Sequence, residues 1–206
     1  WKYHLVEEKR PGEYYPVIED DNGSYILNAN DLCMLEHLPK LQQAGICSVK
    51  IEGRAKSAYY TAVVTNAYRR ALDFYAQNPG GDIPKEIVEE LHKVSHRPYS
   101  AGFYFGPPSG QQCLENGGYI REYEVVGVVQ SWADGRLLVS QRNKLHRGQE
   151  LDILTPANGS FLMRAEELFD EEGVQIESTP HPQMLYQVPC QQPVPQGSLV
   201  RISKKN

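Results

Sequence analysis

Apolar and polar positions alternate in two different rhythms along this chain, and the change falls near residue 95. Before it, strand-like runs are interleaved with helical ones. Tyr14 to Glu19 and Ser24 to Leu27 flank Asp21-Asn22-Gly23, and Asn-Gly between apolar runs is a hairpin signal. Asn28-Ala29-Asn30-Asp31 offers N-cap chemistry to a helix carrying Leu32, Leu35 and Leu38, which Pro39 interrupts and Gly45 ends. Ile46 to Ile51 reads as a short buried strand, with Cys47 as plain core. From 57 to 77, Tyr60, Val63, Val64, Ala67, Ala71, Phe74 and Tyr75 recur at three- and four-residue spacing, the mark of one apolar helix face. Arg69 and Asp73 lie four apart on the other side of that helix. Asn78-Pro79-Gly80-Gly81 stops it, and a further helix starts near Pro84 with Ile87, Leu91 and Val94 inward.

Beyond residue 95 the pattern predicts short strands at Tyr119–Gln130, Arg136–Gln141, Glu150–Leu154, Phe161–Leu168, Val174–Glu177, Met184–Val188 and Ser198–Ile202. Ala133-Asp134-Gly135, Arg147-Gly148, Ala157-Asn158-Gly159 and Glu172-Gly173 separate them. Strands of this length and spacing predict a small closed or nearly closed β-barrel, which removes exposed edges. The order hairpin–α–β–α predicts an α/β unit over residues 1–95, with Ile46 to Ile51 in a largely parallel sheet, followed by an all-β domain over 96–206. Exposed edges on a partial α/β unit would favour pairing with another copy, a homo-oligomer.

Composition narrows the function classes. The chain has 206 residues, 23% of them charged, and a formal net charge of −5. Acidic residues outnumber basic ones both before and after residue 95, so neither part is a basic nucleic-acid module. No apolar run is long enough for a membrane span, which argues against a membrane partner. Cys33, Cys47, Cys113 and Cys190 are scattered without a C-x-x-C pair, as expected of reduced thiols in a cytoplasmic protein. The chain opens at Trp1 with no initiator Met, as expected of a piece of a longer protein.

The densest polar cluster is Lys50-Ile51-Glu52-Gly53-Arg54-Ala55-Lys56-Ser57, between the expected strand and the long helix. Loops after strands are where α/β folds build sites. A carboxylate flanked by cations could bind an anion or move a proton. Equally, Glu52 and Arg54 could form a structural ion pair, with Ser57 as a helix cap. Cys33 falls in the first turn of an expected helix, where the dipole favours a thiolate, yet one cysteine cannot hold a cluster and a lone buried cysteine is by default a small hydrophobe. His92 and His96 have the four-residue spacing of a two-histidine metal face but lack an H-E-x-x-H motif. Arg142, Lys144, His146 and Arg147 make a basic loop that could touch phosphate or simply be a solvated turn.

Asn30-Asp31-Leu32-Cys33-Met34 and Ser48-Val49-Lys50-Ile51-Glu52-Gly53-Arg54-Ala55-Lys56-Ser57-Ala58-Tyr59-Tyr60 resemble the C-terminal part of the peptidase U32, collagenase-like family. The opening Trp1-Lys2-Tyr3, followed by Leu5 through Pro16, resembles the bacterial branch related to tRNA hydroxylation. His96-Arg97-Pro98-Tyr99-Ser100 and Gly102-Phe103-Tyr104 resemble the junction into the family's C-terminal domain, and Asn143-Lys144 with Gly148-Gln149-Glu150-Leu151 resembles that domain. The resemblance implies the last units of a modified TIM-type barrel followed by a small β-barrel. It also implies an iron–sulfur cluster in the intact protein, with Cys33 as one ligand, and no cofactor in this portion alone. For function it implies oxygen-independent hydroxylation of tRNA at the wobble uridine with prephenate as donor. Lys50, Arg54 and Lys56 would then meet the dicarboxylate, and Glu52 would orient them or move a proton, making Glu52 and Arg54 the candidate catalytic residues. The family's name implies a second class, a peptidase acting on collagen-like substrates. A third is an RNA- or peptide-binding module without catalysis.

Overall fold

The computed structural model describes residues 3–21, 23–26, 29–106, 119–156 and 158–204. They form two compact units, Trp1–Met34 with Ser95–Ile120, and Leu35–Val94 with Arg121–Asn206.

In the first unit, β1 (Tyr3–Val6), β2 (Tyr14–Asp20) and β3 (Gly23–Ile26) form an antiparallel sheet in that order. The β2–β3 hairpin matches the alternation read from the sequence and closes at the pair Asp20↔Gly23. Asn22, Leu27 and Asn28 lie outside the described residues. β1 reaches β2 through Pro11-Gly12, where Gly12 has a φ of 97°, and pairs with it from Tyr3↔Val17 through Val6↔Tyr14. The expected helix does not begin at Asp31. Instead β4 (Asp31–Leu32) pairs in parallel with β5 (Tyr99–Ser100). The carboxylate of Asp31 accepts from the Arg97 amide at 3.0 Å and pairs with the Arg97 guanidinium at 3.4 Å, so it is engaged across 66 positions rather than as a helix cap. Leu32 is exposed, while Leu35 and Leu38 are buried in the other unit.

The helical part of the second unit opens with a 3-10 turn at Leu35–His37 and α1 (Leu38–Gln43). Pro39 sits in the first turn of α1 and starts that helix rather than interrupting it, because a first-turn N–H has no acceptor to lose. α2 (Ala58–Gln77) is capped by Ser57, whose hydroxyl accepts from the Tyr60 amide. Its Val63, Val64, Ala67, Ala71 and Tyr75 are buried, as the spacing predicts. α3 (Lys85–Glu90) follows Pro84, and a 3-10 turn at Leu91–Lys93 continues it.

Seven strands complete the unit: β6 (Tyr123–Ala133), β7 (Arg136–Gln141), β8 (Glu150–Leu154), β9 (Ser160–Arg164), β10 (Phe169–Asp170), β11 (Leu185–Pro189) and β12 (Leu199–Ser203). They form one antiparallel sheet, ordered β10-β11-β7-β6-β12-β8-β9. Asp134 and Gly135 both have positive φ, 49° and 74°, which gives the tight β6–β7 hairpin its two-residue turn. Val174–Glu177 is not a strand; Gln175 makes an isolated bridge to Phe169. Val126, Val129, Leu137, Val139, Leu151, Ile153, Tyr186, Val188, Val200 and Ile202 fill one continuous core. Gly127 is there for space: a Cβ would stand 2.3 Å from Val139 Cγ1 and 2.8 Å from the Tyr186 hydroxyl.

The architecture is mixed α/β with a large antiparallel sheet. Among the described residues the parallel pairing is confined to β4 and β5, so the expected parallel barrel units do not appear in them. Ile46–Ile51 has no ladder, and Ile46, Cys47 and Val49 are exposed; the expected buried strand is an extended segment. An extended run becomes a strand only when a neighbour accepts its N–H groups, and no described strand lies beside this one. No described helix is long and apolar enough to cross a membrane.

Candidate functional site

The segment from Lys50 to Lys56 lies on the surface immediately before α2. The Lys50 ammonium pairs with the Glu52 carboxylate at 3.5 Å, and their side chains are 86% and 71% exposed. A pair so exposed contributes little to stability and opens readily to a competing anion. Arg54 is exposed as well. Lys56 is half-buried, with its ammonium 5.1 Å from the centre of the Tyr60 ring. The Lys56 amide donates to the Gly53 carbonyl at 2.9 Å, making a turn that leads into the Ser57 cap. The structure therefore upholds Ser57 as a helix cap and shows Glu52 paired with Lys50. Chemically, the segment offers cations and one carboxylate to solvent beside the start of a twenty-residue helix.

Cys33 lies in the other unit. Its amide donates to the Ser100 carbonyl at 2.9 Å, extending the β4–β5 pairing, and it is half-buried. It precedes the Leu35–His37 turn, so the expected first-turn helix environment is not present. Cys47 is exposed rather than core, and Cys190 is buried in the sheet core, where burial pushes its thiol pKa up. Cys113 lies outside the described residues. Among the described residues no group of three or more His, Cys, Asp or Glu side chains could hold a metal. One half-buried thiol does not make a cluster site, so the described donors do not by themselves fit an iron–sulfur cluster. His96 is buried and stacks on Tyr99 at 4.4 Å with its Nδ1 2.7 Å from the Arg97 carbonyl, whereas His92 is exposed. In the basic loop, Arg142 bonds its neighbours Ser140 and the Gln141 carbonyl, whereas Arg147 bonds the Glu166 carbonyl and Glu177 and so ties separate turns together.

The densest electrostatic cluster escapes a reading of local spacing. Arg201, fully buried on β12, bonds Glu90 of α3 and Asp152 of β8; its Nη2 lies 3.0 Å from Asp152 Oδ2 and its Nε 3.2 Å from the same oxygen. Lys93 adds a second cation, 2.8 Å from Asp152 and 3.4 Å from Glu90. Tyr59, in the first turn of α2, donates its hydroxyl to the Lys93 carbonyl at 2.7 Å and accepts from Arg201 Nη1 at 3.4 Å. The Tyr123 ring lies under both cations, at 5.5 and 5.6 Å. Two cations and two carboxylates cancel, which is what allows them to be buried. Burial pushes the Tyr59 phenol up to about 12, against a smaller opposing pull from Arg201. For Arg201, burial works to lower the pKa, but Tyr59, Glu90 and Asp152 outweigh it and hold the guanidinium above its ordinary value. A signal for this cluster exists in the sequence: one Asp inside Leu151-Asp152-Ile153-Leu154 and one Arg inside Leu199-Val200-Arg201-Ile202, opposite charges flanked on both sides by apolar residues.

Residues 1–113 match peptidase family U32, and residues 121–201 match the peptidase family U32 C-terminal domain. The chain belongs to peptidase family U32. It is 29% identical to tRNA hydroxylation protein P1 of Bacillus subtilis over 99% of this chain and 49% of that protein. It is 33% identical to tRNA hydroxylation protein P of Escherichia coli over 87% of this chain and 40% of that protein. A collagenase of Porphyromonas gingivalis is 29% identical over 72% of this chain and 43% of its own length. The chain thus spans about half the length, or less, of these relatives.

Proposed function

We propose that this chain is the C-terminal portion of a U32 protein that acts in oxygen-independent hydroxylation of tRNA at the wobble uridine, with prephenate as donor. The observation that carries the reading is the exposed cationic segment, held at the start of α2 in a chain whose relatives include named tRNA hydroxylation proteins. Lys50, Arg54 and Lys56 supply the charges that a dicarboxylate requires. Glu52, released from Lys50 when an anion competes, orients those cations or holds a proton. Cys33 contributes one ligand of an iron–sulfur cluster in the intact protein, with the other ligands supplied from outside the described residues. The acidic balance of the chain supports tRNA binding by the intact assembly rather than by the C-terminal sheet alone.

The test is tRNA modification profiling by mass spectrometry in a strain lacking the full-length gene and any paralogue. Complementation with wild type restores wobble-uridine hydroxylation, whereas Glu52→Ala, Arg54→Ala and Cys33→Ala do not. An unchanged tRNA profile in the deletion strain sinks this reading and turns attention to cleavage of collagen-like peptides.

A further inference from the structure

We propose that Tyr59 is a positioning residue for the Lys50–Lys56 segment, and that Arg201 of the C-terminal sheet is its anchor. The role of the segment itself rests on the functional reading above; the positioning rests on geometry alone. The segment hangs directly on the first turn of α2. The Gly53 backbone comes so close that a Cβ there would stand 3.1 Å from Thr61 Oγ1 and 3.6 Å from the Tyr60 ring. The Lys56 ammonium lies over Tyr60, and the Ser57 hydroxyl and carbonyl accept from the Tyr60 and Thr61 amides, each at 3.2 Å. Whatever shifts this turn therefore shifts the Gly53 backbone and the Lys56 ammonium.

First turns fray easily, because their N–H groups have no acceptors within the helix. Here the turn is tied down from outside the helix. The Tyr59 hydroxyl bonds the Lys93 carbonyl and Arg201 Nη1. Arg201 is a rigid anchor, fully buried and clamped by Glu90 and Asp152. Burial also keeps the phenol protonated, and so a donor, far above neutral pH. Tyr59, Glu90 and Lys93 lie in the stretch matched to the U32 family, and Arg201 and Asp152 in the stretch matched to its C-terminal domain. The sheet thus braces the segment through Tyr59.

Hydrogen–deuterium exchange on the full-length protein tests this. Tyr59→Phe keeps the ring and removes only the hydroxyl. The expected result is about five- to tenfold faster exchange at the Lys56, Tyr60 and Thr61 amides, the change that loss of one ordinary hydrogen bond produces. Amides of β8 and β12 keep wild-type protection. Arg69→Ala, which removes an exposed ion pair with Asp73 on the same helix, leaves all of them unchanged. First-turn amides within about twofold of wild type overturn the proposal. Equal acceleration in β8 and β12 also overturns it, since that is general loosening rather than positioning. The exchange readout needs no activity, so an unchanged tRNA profile in the deletion strain removes the functional reading and leaves this one standing.

Discussion

Removing Arg201 is the sharpest perturbation this architecture offers. Arg201→Met keeps much of the side-chain volume but deletes the guanidinium bonds to Glu90, Asp152 and Tyr59. Glu90 and Asp152, whose side chains are 2% and 3% exposed, then share Lys93 alone, and a balanced cluster becomes a buried net negative charge. Breaking a buried pair in this way costs about 3–5 kcal/mol, because the abandoned carboxylates cannot reach water. For a chain of this size that loss lowers Tm by roughly 6–20 °C. The assay is urea and thermal denaturation of wild type, Arg201→Met, Asp152→Asn and the double variant. In the double variant one abandoned charge is gone, so it recovers at least about 1 kcal/mol relative to the sum of the single changes. A loss below about 1 kcal/mol for Arg201→Met, or strict additivity in the cycle, would refute the claim that these charges act as one buried unit.

Two further outcomes follow from the same unit. Gly127→Ala forces a methyl against Val139, a stiff β-branched side chain with no exposure, and against the buried Tyr186 hydroxyl, and it should cost about 3 kcal/mol. Adding Val139→Ala should recover part of that loss in equilibrium unfolding, and no recovery would place the strain elsewhere. In alkali, the Tyr59 phenol ionises near 10 in the unfolded chain and about 12 in the folded one, so its contribution is full below pH 10 and is lost as pH rises towards 12. Buried Tyr186, also raised, acts in the same direction. Stability measured from pH 9 to 11.5 should fall less steeply in Tyr59→Phe than in wild type, and parallel curves would contradict the burial of this phenol.

Elements defined by local physics are legible in the amino-acid order. The α2 bounds follow from the Ser57 cap, the apolar three–four spacing and Asn78, whose amide bonds the Phe74 carbonyl. The β2–β3 hairpin and the β6–β7 and β8 strands follow from alternation and turn residues. The exposed cationic segment is also a sequence feature, since Lys50, Glu52, Arg54 and Lys56 are close neighbours in the chain. Asp31 shows where such reading fails. Its cap chemistry is real, but Arg97, far along the chain, claims the carboxylate, and the segment becomes strand instead of helix. Ile46–Ile51 fails for the complementary reason, having strand composition and no partner among the described residues.

The sequence marks Asp152 and Arg201 as charges among apolar neighbours, but that they meet each other and Glu90 in the interior is decided by the folded arrangement. A charge is tolerated inside only when its counter-charges arrive from other elements, here α3, β8 and β12, separated by up to 111 positions. Residue order carries capping, periodicity and turn chemistry because these act within a few residues. Ion pairing, strand pairing and the space left at Gly127 depend on which surfaces meet, and folding alone brings those surfaces together.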